Sequence, residues 1–393
     1  MISRFFYGHV RAISKGPQSF HETQQIEKKR FFIAAMPSII ALASTVFPLE
    51  YYLRSTASPQ LRCMLDVASI MHRENGKGLV LKPGITQRIT LATEESTFAV
   101  TIDSSGYRSN DNSIRPDQQP NILMLGDSQT FGYGVNDRET LPSNLERELG
   151  VRVINSGFRS GSCTTAQCIY LRDFGLQQDP DLVVLNFYTG NDLEDTHYYS
   201  FDSRDNQGFP ENLKVPGGWI PPVLKRTAIY QNFGLRVIPS LLKRDAQKKI
   251  DSARLQVKEI QKDQASPDLA RKINFPLDLE WEVAEQDILA MKHLCEKNNI
   301  PFVVILIPQE LPQPLIRRAI SDKLISFCEK EEIPILDLEP LFLSDGHSDS
   351  YFFPLDGHLT AAGCASAAKH SKAFLAKMVN RKNASVTQPK KTA

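Results

Sequence analysis

Apolar positions in this chain cluster into short continuous runs, and stretches of helical period lie between them. The run NILMLGDS (121–128) reads as a buried strand that ends in a turn. Residues 138–149 follow as a helix, with Leu141, Leu145 and Leu149 on every fourth position. VRVINSG (151–157) predicts a second strand and residues 164–176 a second helix. DLVVLNFYTGND (181–192) predicts a third, central strand, PFVVILIP (301–308) a fourth and IPILDL (333–338) a fifth. Helical stretches at 281–298, 314–330 and 360–378 alternate with these. Strands that are apolar on both faces, separated by helices, predict an α/β fold. Its parallel five-stranded sheet would be doubly wound in three layers, with ligands expected at the strands' carboxyl ends.

The flanking segments break this rhythm. Residues 55–115 form a lead-in, first helical over 55–75 and then strand-like. GLVLKPG, ITQRITLA and STFAVTID alternate in polarity and are broken at Pro83-Gly84 and Ser105-Gly106. The main domain spans 116–378, with an insertion at 196–280. The insertion starts rich in aromatic residues, Gly and Pro, then becomes a charged helix near 240–262. There Ala246, Ile250, Ala253, Val257 and Ile260 make a narrow apolar stripe. The stripe suits packing on the same domain, or self-association with a second copy. The tail at 379–393 reads as disordered. No internal repeat is evident.

The N-terminus bears on the compartment. Residues 31–49 (FFIAAMPSIIALASTVFPL) carry no charge, just long enough for a helix to cross a hydrocarbon core. The basic residues Arg4, Arg11, Lys15, Lys28, Lys29 and Arg30 precede this stretch, and only Arg54 and Arg62 follow over 50–69. That asymmetry predicts a cytoplasmic tail (1–30), a transmembrane anchor (31–53) and an extracytoplasmic catalytic domain, in the periplasm or at the cell surface. Pro37 and Pro48 weaken such a helix. A cleavable signal peptide ending near Ala41-Leu42-Ala43 is the alternative, and the long polar lead favours the anchor. A buried core helix would need no Lys28-Lys29-Arg30 collar.

Composition narrows the function classes. With 46 Lys+Arg against 45 Asp+Glu the formal charge is +1, which argues against a nucleic-acid binder. Six cysteines in 393 residues make no disulfide scaffold, and no Cys/His spacing suggests zinc. Cys163 with Cys168, or Cys295 with Cys328, are read as buried thiols, with a structural bridge as the alternative.

Four short motifs close successive strands. Gly126-Asp127-Ser128 puts a hydroxyl at a strand-to-helix turn, a weak nucleophile that needs a base. Asn155-Ser156-Gly157-Phe158-Arg159-Ser160-Gly161-Ser162 has glycines that let backbone N–H groups approach a developing oxyanion. Thr189-Gly190-Asn191-Asp192 offers a side-chain amide donor, or an Asx turn closing the strand. Asp356-Gly357-His358 supplies a base and an acid to orient it, directly before a small-residue helix. A second copy, Asp345-Gly346-His347, lies in a polar stretch with no helix behind it and is set aside. His197 is an outside candidate. Gly132-Tyr133-Gly134 lacks the third glycine of a dinucleotide fingerprint.

Taken in order, the four motifs resemble the SGNH (GDSL-type) hydrolases over roughly 116–195 and 281–378. The resemblance implies a flavodoxin-like three-layer fold and neither metal nor cofactor. It implies Ser128 as nucleophile, His358 as base and Asp356 as its partner. Ser128, Gly161 and Asn191 would form the oxyanion hole, Gly161 fitting better than Gly157. Many members place the acid three residues before His, and here the gap is two. The shorter gap resembles branches that include membrane-associated, exported polysaccharide acetylation enzymes. Ser105-Gly106-Tyr107-Arg108 also resembles anchored bacterial members. The expectation is an exported serine esterase acting on an ester-bearing small molecule, lipid or glycan. An O-acyltransferase or deacetylase of a cell-surface polysaccharide shares the same residues. A non-catalytic binding or assembly protein is the third reading. Tyr198, Tyr199, Phe201 and Trp219 would wall a pocket or simply pack a loop.

Overall fold

The computed structural model describes residues 35–38, 40, 43–91, 93, 96–112, 120–196, 199–215, 218–234, 278–313 and 315–386. The chain divides into two units, Met1–Thr56 and Ala57–Ala393. In the first unit, residues 35–38, 40 and 43–55 are helical apart from those not described, and Met36, Ile40, Phe47, Tyr51 and Tyr52 are exposed. Among the described residues, no helix is long and apolar enough to cross a membrane. The transmembrane helix expected over 31–53 is therefore not found there. Residues 31–34, 39, 41 and 42 of that stretch lie outside the described set.

The second unit opens with the lead-in. Helix α1 (Pro59–Ile70) is started by Ser58, whose hydroxyl accepts from Leu61 N–H at 3.2 Å, and by Pro59 in the first turn. Two antiparallel pairs follow, β1 (Met71–Glu74) with β2 (Gly78–Leu81) and β3 (Ile85–Leu91) with β4 (Ser96–Ile102). Their inward residues, among them Ile89, Leu91, Phe98, Val100 and Ile102, form one apolar cluster with Phe131 of the main domain.

The main domain carries a parallel sheet of β5 (Asn121–Leu125), β6 (Arg152–Asn155), β7 (Leu182–Tyr188), β10 (Phe302–Ile307) and β11 (Ile335–Asp337). Its spatial order is β11-β10-β7-β5-β6. In chain order that is 2-1-3-4-5, the flavodoxin-like arrangement. Side chains sort by the two-residue period of a strand. Leu123, Leu125, Val183, Leu185, Phe187, Val304 and Leu306 enter the core on one face. Ile122, Met124, Leu182, Val184, Val303 and Ile305 enter the core on the other. Each fully buried aliphatic side chain of this kind contributes about 1.5–3 kcal/mol. The expected three layers and five strands are present.

Helix α2 (Ser128–Phe131) is a single turn after β5, and α3 (Leu141–Leu149) leads to β6. The helix expected over 138–149 is broken at Thr140, which caps α3 by accepting from Ser143 N–H, with Pro142 in the first turn. Helix α4 (Thr164–Tyr170) continues as a π turn, Leu171–Gly175, before β7. Between β7 and β10 lie α5 (Asp192–Thr196), the short pair β8 (Ser203–Arg204) and β9 (Pro210–Glu211), α6 (Pro222–Lys225), and α7 (Asp278–Lys297). The inserted helix expected at 240–262 and its stripe lie outside the described residues, as do His197 and Tyr198. Helices α8 (Leu315–Lys330), α9 (Glu339–Ser344) and α10 (Ala361–Val386) complete the layers. α10 runs past the expected end at 378 because residues 379–386 contain neither Gly nor Pro. Residues 387–393 lie outside the described set. None of the six cysteines forms a disulfide; five are buried and Cys63 is half-buried.

Candidate active site

The order of the sheet reverses between β5 and β7, and in open parallel sheets ligands bind at that crevice. β5 ends at Leu125. After Gly126, Asp127 caps α2 by accepting from Gln129 N–H at 2.9 Å, so Ser128 becomes the first helical residue. Ser128 as a whole is 8% exposed. Ser128 Oγ stands 2.7 Å from His358 Nε2 and 3.2 Å from Asp127 Oδ2.

His358 arrives on the loop before α10. Gly357 adopts φ +78°, a left-handed turn that suits glycine, and this folds Asp356 back onto the imidazole. Asp356 Oδ1 meets His358 Nδ1 directly. A carboxylate on Nδ1 favours the tautomer with its proton there, which leaves Nε2 as an acceptor for the serine proton. The two-residue spacing thus brings Asp356 and His358 into contact. The second Asp-Gly-His copy does other work. Asp345 accepts from Tyr351 Oη at 2.8 Å, Ser366 Oγ at 2.6 Å and His370 Nε2 at 2.9 Å, tying the loop after α9 to α10.

Sequence reasoning missed Gln129. Its buried carboxamide spans the histidine loop. Nε2 donates to Gly357 O at 3.2 Å and Oε1 accepts from Leu359 N–H at 3.0 Å. Both neighbours of His358 are therefore fastened to the residue beside Ser128. Tyr133 closes another side, its ring 4.9 Å from the imidazole and its hydroxyl 2.8 Å from Cys63 Sγ of α1. Burial pushes the Tyr133 phenol well above its ordinary range.

The second motif is stitched to the first strand. Ser160 Oγ lies 3.1 Å from both Gly126 N and Gly126 O, and Ser156 Oγ donates to Met124 O. Gly157 is a point of close approach. A Cβ there would lie 2.0 Å from Phe131 N and 2.5 Å from its Cα. Gly161 N–H donates to Phe158 O at 2.9 Å and closes a turn. Asn191 follows β7 and opens α5, where its Nδ2 donates to Asp195 Oδ2 at 3.3 Å. Ser128, Gly161 and Asn191 thus stand beyond the carboxyl ends of β5, β6 and β7, three neighbouring strands.

The lead-in holds this end of the sheet. Arg108 is fully buried and all five of its N–H groups are used. Nε reaches Asp137 Oδ1, Nη1 reaches Phe131 O and Gly132 O, and Nη2 reaches Ala99 O and Val135 O. The turn after α2 is thereby bound to β4. Arg159 packs over Tyr107 at 4.7 Å, and Tyr170 Oη donates to Tyr107 Oη at 2.7 Å.

Buried carboxyls give the site a distinctive charge. Burial pushes Asp127 up, with its hydrogen bond from Gln129 N–H opposing. Burial and the neighbouring Asp127 push Asp192 well above the carboxylate range. Asp192 Oδ2 accepts from Tyr188 N–H at 3.0 Å. Among the described residues, no cluster of three or more His, Cys, Asp or Glu side chains is placed to hold a metal ion.

No family model and no curated protein matches the chain. Solved structures of GDSL and SGNH esterases and lipases resemble it. One is a lipolytic protein of the G-D-S-L family from Desulfitobacterium hafniense, at 13% identity and TM-score 0.36, covering 65% of this chain and 99% of that one. Another is the psychrotrophic esterase EstA from Pseudoalteromonas sp., at 13% identity and TM-score 0.35, covering 67% and 100%. A third is AlinE4, an SGNH-hydrolase family esterase, at 17% identity and TM-score 0.30, covering 66% and 96%.

Proposed function

We propose that the chain is a serine hydrolase of SGNH type that cleaves carboxylic esters, with Ser128 as nucleophile. One observation carries the reading. Ser128 Oγ lies 2.7 Å from His358 Nε2, and Asp356 occupies the other ring nitrogen, at the crevice where the sheet order reverses. Ser128 Oγ attacks the ester carbonyl as His358 Nε2 takes its proton. Asp356 stabilises the imidazolium that results. Ser128 N–H, Gly161 N–H and the Asn191 amide hold the tetrahedral oxyanion. That role requires Gly161 N–H to give up its bond to Phe158 O. His358 then gives its proton to the leaving alcohol, and water activated by the same imidazole releases the acid from Ser128. Losing one oxyanion donor should lower kcat by about 10²–10³-fold.

A glycan hydroxyl in place of that water makes the same site an O-acyltransferase. Deacetylation of the same glycan is ordinary hydrolysis there. The two-residue Asp356–His358 spacing, which resembles that of exported polysaccharide acetylation enzymes, supports the transferase reading. The uncharged stretch 31–49 behind Lys28-Lys29-Arg30, and the exposed apolar residues of the first unit, support an anchored, extracytoplasmic enzyme. Turnover of p-nitrophenyl acetate by the full chain, with and without an acetylatable oligosaccharide, tests both steps. Release of nitrophenol that disappears in Ser128→Ala supports the hydrolase, and acetyl found on the sugar supports the transferase. Nitrophenol release that survives in Ser128→Ala overturns the proposal.

A further inference from the structure

Asn191 raises a question of orientation. Its carboxamide has a donor end and an acceptor end of nearly equal shape, so only its partners decide which faces where. Asn191 Oδ1 is buried and, among the described residues, has no hydrogen-bond partner. The side chain is held from the donor end alone, by the 3.3 Å bond from Nδ2 to Asp195 Oδ2. The two residues are also joined through the backbone, where Asp195 N–H donates to Asn191 O at 2.7 Å.

We infer that Asp195 is the positioning residue for Asn191: its carboxylate takes one amide N–H and so leaves the other aimed at the oxyanion. The inference rests on the reading of Asn191 as an oxyanion donor. An ionised carboxylate can only accept, so it selects the amide orientation with Nδ2 toward it. A neutral carboxyl carries its own O–H and can donate to Oδ1 instead. Protonating Asp195 therefore removes the preference and frees the amide to turn over.

The groups facing Asp195 set when that happens. Burial raises its carboxyl, the Arg73 guanidinium of β1 opposes this, Asp127 adds to it, the Ser162 hydroxyl opposes it, and Glu194 adds to it. Together they push Asp195 up to about 7. Ser162 follows Gly161 directly, and its Oγ lies 3.0 Å from Tyr199 Oη. The buried Cys163 thiol and Asp192 feel the same charge. Glu194 is itself paired with Arg317 of α8 at 2.6 Å. Asp195 thus links the third motif to the second, and its charge is set in part from the lead-in.

The sign follows from the raised value. Above about pH 7 Asp195 is ionised and Asn191 is held. As pH falls through that value the hold is lost. The wild-type profile of log kcat should then carry a downward step centred near pH 7. The test is kcat and KM of the full chain on p-nitrophenyl acetate from pH 5 to 9, with melting temperatures to verify folding. Asp195→Asn keeps an acceptor oxygen but cannot titrate, so that step should vanish from its profile. Asp195→Leu should lose about 10–10²-fold in kcat across the range with little change in KM, most of the effect of a missing oxyanion donor. Arg73→Gln should move the step to higher pH. An Asp195→Asn profile identical to wild type, or full kcat in Asp195→Leu, overturns the inference and leaves the Ser128 chemistry standing. Full activity in Ser128→Ala or Asn191→Ala instead removes the reading beneath it.

Discussion

Replacing Gln129 by Leu tests how the histidine loop is held. Leucine has nearly the same volume, so the change removes two hydrogen bonds without opening a large cavity. Gly357 O keeps one partner, because Tyr188 Oη donates to it at 3.3 Å. Leu359 N–H keeps none among the described residues and is buried. An orphaned buried donor costs about 1–3 kcal/mol if the loop stays in place. The loop can avoid that cost only by moving, and His358 moves with it. A displacement of about 1 Å from productive geometry can cost about 10²-fold in rate. Gln129→Leu should therefore melt a few degrees lower and lose about 10–10²-fold in kcat on an aryl ester, with KM changed much less. Calorimetry and steady-state kinetics on the same preparation measure both. Wild-type melting together with wild-type kcat would refute the reasoning and show that the loop is positioned without Gln129.

Other consequences concern the frame. Arg108→Met leaves Asp137 without its ion-pair partner and takes a donor from four carbonyls, of which Gly132 O keeps Val135 N–H and Phe131 O keeps Asn155 Nδ2, so denaturant unfolding should show a loss of about 3–5 kcal/mol. A loss below about 1 kcal/mol would mean the lead-in is held by other contacts. Gly157→Ala drives a Cβ into the backbone of α2, so it should abolish activity even where circular dichroism still reports a folded sheet. The Asp345 carboxyl is held below its ordinary range, by the Ser366 hydroxyl first and by His370 and Tyr351 after it. A depressed carboxyl stabilises the fold above the ordinary carboxylate range, and the benefit is lost as pH falls through the lowered value. Asp345→Asn should thus be less stable than wild type at neutral pH, and the two stability curves should converge in strong acid.

What could be read from the sequence follows the physics of each element. β7 and β10 were legible because they are buried on both faces and therefore apolar throughout. Ser128, Asp356 and His358 were legible because each closes a strand or opens a helix in a short, unusual motif. The break at Thr140 was overlooked because the leucine spacing continues across it, although Pro142 marks a fresh helix start. Gln129 and Asp195 read as ordinary polar residues, since their partners are 228 residues away in one case and a single amide in the other. Arg108 stood in a recognisable stretch, but its acceptors are scattered over residues 99–137. No local pattern joins them.

The central claim is that Ser128 is a nucleophile activated by His358. A fluorophosphonate added to the folded full chain tests it directly, because the attacking oxygen displaces fluoride and stays covalently marked. Peptide mapping should find one adduct, on Ser128, formed at a rate that collapses in His358→Ala and falls in Asp356→Asn. An adduct elsewhere, or labelling of Ser128 that is equally fast without His358, would contradict the account.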